Sequence, residues 1–114
     1  MKRNLTRRER LKRSSDISRV FAGRQSVSCF GAKLLYAENS HEYNRIVCIP
    51  VRKYGNAVKR NRVKRHIKEL YRQEKPLLKT GFDLVFVIYP GMEYDYWKRK
   101  QQMHALLQKA DLYV

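Results

Sequence analysis

Two cysteines, three prolines, five glycines and ten carboxylates are all that 114 residues contain. Cys29 and Cys48 have no second pair beside them, so neither a four-ligand zinc site nor a disulfide framework can be built. They read as reduced core or strand residues of a cytoplasmic protein. With so few prolines and glycines, none of them clustered, no linker divides the chain, and one domain over residues 1–114 is expected. No apolar run approaches the roughly 20 residues that span a bilayer. Residues 1–13 are too polar for the apolar segment of a signal peptide. The carboxylates are scattered, without the paired spacing of acid–base or two-metal hydrolysis. His41, His66 and His104 have no Cys or acidic partner at ligand spacing.

Positive charge is what the chain has in excess, at +16 net. Solubility needs far less, and a polyanion is the natural counterpart, since each neutralised phosphate releases counterions. The charge is also clustered. Lys2, Arg3, Arg7, Arg8, Arg10, Lys12 and Arg13 form a basic arm over about residues 1–13. Lys59, Arg60, Arg62, Lys64, Arg65, Lys68 and Arg72 form a second run. Together they hold more than half of the 26 basic side chains. Nucleic acid is therefore the expected partner, ahead of a membrane surface. No helix-turn-helix or zinc pattern points to DNA.

Local patterns predict the elements. Ser14 or Ser15 can cap a short helix, with Asp16 near its positive end and Gly23 as its stop. Ile17, Val20 and Phe21 form its apolar stripe. Residues 26–37 suit strand, with Phe30, Leu34 and Tyr36 on one parity, and residues 38–44 read as a turn. Residues 45–51 are a further strand in which Pro50 must lie at an edge, a bulge or the end. Tyr54-Gly55-Asn56 breaks that strand and opens the strongest helix, its buried stripe Val63, Ile67, Leu70 and Tyr71. Residues 82–89 are apolar enough for a strand covered on both faces. A last helix over residues 95–109 is expected to pack through Trp97, Met103, Leu106 and Leu107. The class is α/β, an α+β two-layer sandwich with three helices on a small mixed sheet, in the order α-β-β-β-α-β-α.

On the central helix Arg60, Asn61, Arg62, Lys64 and Arg65 fan over the solvent arc. Arginine matches phosphate oxygens in pairs, and the Asn61 amide can donate to and accept from a 2′-hydroxyl or base edge. The same residues also fit a merely solvated basic face.

Residues 54–65, YGNAVKRNRVKR, resemble the signature of the protein subunit of bacterial ribonuclease P. Arg10-Leu11-Lys12 followed by Val20-Phe21 resembles that family's N-terminal segment, and the likeness covers almost the whole chain. The resemblance implies a left-handed βαβ crossover, where a right-handed one is the general rule. It implies an RNA-binding subunit of a ribonucleoprotein endonuclease that removes the 5′ leader of precursor tRNA, the catalyst being a large RNA with bound Mg²⁺. Arg60, Asn61, Arg62, Lys64 and Arg65 would then meet the catalytic RNA. Phe21, Ile17, Arg52, Lys53 and Tyr36 would line a cleft for the leader, a one-residue slip putting Leu35 in place of Tyr36. Phe21 is equally compatible with core packing. Three positions depart from the family: Ile17 stands where an aromatic is frequent, Val51 where Ser is common, and Val47 where Gly is common. A less polar, more crowded cleft floor is expected. The rival reading, a ribosomal or other structural RNA-binding protein, does not account for the signature.

Overall fold

The structure, a computed structural model, describes residues 6–91 and 95–114. Helix α1 spans Ser14–Gly23, followed by strands β1 (Ser26–Cys29), β2 (Ala32–Glu38) and β3 (Arg45–Pro50). Helix α2 (Ala57–Glu74), strand β4 (Phe82–Ile88) and helix α3 (Tyr96–Lys109) complete the expected order. The sheet runs β1-β2-β4-β3, antiparallel except for the parallel β3–β4 pair that α2 connects.

The apolar run of β4 makes it a central strand, with residues 83–88 all buried. One face of the sheet carries the main core. Leu34, Ile46, Cys48, Leu84, Phe86 and Ile88 meet Val63, Ile67, Leu70 and Tyr71 of α2 and Met103, Leu106 and Leu107 of α3. Alternation along the strands sends Leu35, Val85 and Val87 to the opposite face, where they pack with Val20 of α1 and with Leu11. Two helices thus form a full layer on one side, and α1 covers only part of the other.

Several sequence expectations need correction. Arg13, not Ser14 or Ser15, is the residue before the first turn of α1, and it offers no side-chain cap. The helix stops on Arg24 in the left-handed conformation, its N–H bonded to the Phe21 carbonyl, one residue beyond Gly23. Phe30 does not share a strand face with Leu34, because the segment folds into a hairpin whose tip is Phe30-Gly31. Pro50 is the last residue of β3, where its missing donor costs no ladder bond.

The basic segment is not a free arm from Thr6 onward. Residues 7–9 form a short 3₁₀ turn, Arg10 pairs with Ile46 at the outer edge of β3, and the Leu11 amide donates to the Ile46 carbonyl at 2.8 Å. Buried Glu9 bonds Lys75 at the end of α2, at 2.7 and 2.9 Å. Burial raises the Glu9 carboxyl, but Lys75 and Thr6 outweigh it and hold the group below its ordinary value. Lys2 and Arg3 of the same run lie outside the described residues.

Candidate RNA interface

Two surfaces are built by this fold. The first is the solvent arc of α2, which is set in place by the Gly-Asn turn before it. Gly55 adopts φ +152°, and a Cβ there would meet the Lys59 side chain at 3.0 Å. Asn56 then caps the helix, its Oδ1 accepting the Lys59 amide at 3.0 Å. About five turns follow with the apolar stripe turned into the main core, so Asn61, Arg62 and Arg65 are exposed and Lys64 is half-buried. Among the described residues Arg62, Lys64, Lys68 and Arg65 have no ion-pair partner. Arg60 differs from these. It is half-buried, and its Nη1 donates to the Val51 carbonyl at 2.6 Å, tying the first turn of α2 to the end of β3. His66 lies among these cations, and burial, then the charges of Arg99, Arg62 and Arg65, pull its pKa below the ordinary value.

The second surface is the groove between α1 and the sheet face it only partly covers. Phe21 is 45% exposed on α1, although it belongs to the same stripe as buried Val20. Ile17 is half-buried against the cluster, and Val47 and Ile49 of β3 form a half-buried apolar floor with Val51, the residue just after the strand. Val47 and Val51, two of the departures noted above, therefore both stand on this floor. Arg52 and Lys53 are exposed in the short turn just beyond β3.

Tyr36 is not in this groove. It pairs with Leu84 in register and packs on the main core, on the far side of the sheet from Phe21. Leu35 is the residue that faces α1, and it is buried. Lys33 has the parity of Leu35, as strict alternation along β2 requires.

A buried charge cluster anchors α1 over the groove. Asp83 has no exposed surface and accepts from Arg45 Nε and Nη2 at 2.7 Å, Arg19 Nη2 at 2.6 Å and Asn39 Nδ2 at 2.9 Å. Burial raises the Asp83 carboxyl, but the bonds from Arg45 and Asn39 and the charges of Arg45 and Arg19 outweigh it, leaving it below the ordinary value. Arg45 also reaches Asp16 on α1 at 3.4 Å. Both cysteines are free thiols, and burial pushes that of Cys48 up to about 12. Among the described residues no three His, Cys, Asp or Glu side chains come together as a metal site. No helix among them is long and apolar enough to cross a membrane.

This arrangement has close relatives. Residues 5–111 match the family model described as Ribonuclease P. The ribonuclease P protein component of Petrotoga mobilis is 35% identical over 112 residues, 92% of this chain and 93% of that protein. That of Natranaerobius thermophilus is 36% identical, covering 90% of each. In three dimensions the RNase P protein of Thermotoga maritima superposes with a TM-score of 0.78 at 28% identity, over 89% of this chain and 96% of that one. The Staphylococcus aureus protein shares the fold with a TM-score of 0.85 at 22% identity, over 93% and 98% of the two chains. A signature helix in its expected place, a fold shared along nearly the whole length and a family match over residues 5–111 lead to one conclusion: the chain belongs to the ribonuclease P protein family, the protein component of a ribonucleoprotein endonuclease that processes precursor tRNA.

Proposed function

We propose that the chain acts as a single RNA-binding domain that docks on the catalytic RNA of ribonuclease P and holds the 5′ leader of precursor tRNA. The solvent arc of α2 meets the catalytic RNA through Asn61, Arg62, Lys64 and Arg65. Arg60 contributes there and also fixes the helix to β3. The groove under α1 takes the single-stranded leader: Phe21 stacks on a base, Ile17 and the β3 floor supply apolar contact, and Arg52 and Lys53 neutralise phosphates. Stacking tolerates any base, which suits a leader of variable sequence. Hydrolysis belongs to the RNA with its Mg²⁺, in the cytoplasm, and the protein lowers the divalent-ion requirement by screening phosphate repulsion.

The observation that carries the leader assignment is the exposure of Phe21 above an uncapped apolar floor with two cations at its end. It is tested by titrating reconstituted holoenzyme with substrates of increasing leader length. Phe21→Ala is expected to weaken long-leader binding by about 1–3 kcal/mol, the worth of one stacked base, and to leave mature tRNA binding unchanged. Circular dichroism verifies the fold of the variant. Equal losses for every leader, including none, would return Phe21 to a packing role.

A further inference from the structure

The outer face of α3 has no place in the reading above, and its composition is unusual. Helix α3 has the sequence YWKRKQQMHALLQK, without a single carboxylate. Arg99, Gln102, Met103, Leu106 and Leu107 turn inward. Trp97, Gln101, His104 and Gln108 follow one another at i, i+4, i+7 and i+11, and all four are exposed. The sequence pattern assigned Trp97 to the core, yet it is 62% exposed, with Lys100 Nζ lying 5.5 Å from its ring centroid. Lys98 is exposed beside it, and His104 Nδ1 lies 3.0 Å from the Tyr113 hydroxyl. An exposed indole presents a flat face on which a base can stack. The face joins a flat aromatic, ammonium groups that have no ion-pair partner among the described residues, and amide and imidazole hydrogen-bonding groups; the carboxylate beside Trp97, Asp95, is engaged in capping the helix, its Oδ1 accepting the Lys98 amide at 2.8 Å. That is the chemistry of a stacking platform with backbone neutralisation.

We propose that this face is a second RNA-binding site, which takes an unpaired stretch of RNA with a base on Trp97 and phosphates on Lys98 and Lys100. It lies on α3, which packs on the opposite side of the sheet from α1, so it is separate from the groove beside Phe21. One RNA could therefore be gripped on two sides of the domain, or two RNA segments held at once.

Trp97 is the one tryptophan of the chain, so its emission reports this site directly. Titration of the full-length protein with a single-stranded RNA of about ten nucleotides should quench it, whereas a duplex of equal charge at the same salt should not. Lys98→Ala with Lys100→Ala should raise the half-quench concentration. In a Phe21→Ala background, where the other platform is absent, Trp97→Ala should weaken capture of the labelled oligonucleotide roughly 5- to 150-fold. Equal quenching by duplex would reduce the effect to charge alone and overturn the proposal. So would an emission that follows protein concentration and ignores RNA, since a second copy of the chain would then be the occupant. Unchanged capture by the Trp97→Ala variant would overturn it as well.

Discussion

Asp83 holds α1 over the groove from a position with no exposed surface, and four donor contacts from three residues converge on it. Removing a buried partner leaves the others desolvated and unpaired, so Asp83→Ala should cost about 3–5 kcal/mol in urea unfolding. Arg19, itself nearly half exposed, should cost less than about 1 kcal/mol as Arg19→Ala. Similar losses for the two would show that the cluster is not centred on Asp83. The pH dependence follows from the same group. Its folded pKa lies below the unfolded one, near 3.9, so its contribution is complete above that value and is lost as pH falls through the lower, folded one. Glu9 has the same sign. Acid unfolding should therefore be delayed to below about pH 4, and Asp83→Asn should flatten that limb of the curve. At the start of α2, Gly55→Ala meets both an unfavourable φ and the Lys59 side chain. It should destabilise by about 1–3 kcal/mol, and Asn56→Ala by about 0.5–2 kcal/mol through loss of its cap. Thermal denaturation measures both.

Helix α2 carries opposite tasks on its two sides, and substitutions should separate them. Arg62→Ala or Arg65→Ala should weaken assembly with ribonuclease P RNA and change stability by less than about 0.5 kcal/mol. Val63→Ala should lose roughly 1–3 kcal/mol of stability with little direct effect on RNA. Arg60→Ala should do some of each, because its guanidinium also holds the Val51 carbonyl. His66 adds a pH signature. Burial, and then the neighbouring Arg charges, keep its proton off in the free protein, and bound phosphates would offset those charges. Binding should then take up a proton and tighten as pH falls towards the titration of His66, a trend that His66→Ala should remove. At this scale the sequence was uneven in what it revealed. Helix α2 was legible because four buried positions repeat over eighteen residues against a strongly basic remainder. Strand β2 was not, because Leu34 and Leu35 are both apolar and alternation alone cannot choose between them. The register with β4 makes the choice, and it turns Tyr36 away from α1. Trp97 was misplaced by hydrophobicity, although its angular position opposite Arg99 and Met103 marks it as outward.

The whole molecule is a polycation of +16 whose apolar groove and basic helix are held together by the parallel β3–β4 unit and the Asp83 cluster. The fold was visible from sequence in its order of elements and its class. The packing of residues 6–13 along β3 was not, since seven cations in thirteen residues suggest a loose tail, and only the contacts of Glu9 and Leu11 show otherwise. Many phosphate contacts imply that log affinity for RNA falls with log salt by roughly 0.7 to 0.9 per contact. A slope shallower than about −2 would mean that the basic surface is largely unused. The most direct measurement is precursor tRNA cleavage by the protein alone, by a ribonuclease P RNA alone and by the two together, across a range of Mg²⁺. No cleavage is expected from the protein alone, and the RNA should be accelerated strongly at low Mg²⁺, an effect that fades as Mg²⁺ rises and is blunted by Arg62→Ala and Arg65→Ala. Cleavage by the protein without RNA, or an acceleration indifferent to both Mg²⁺ and those two arginines, would contradict it.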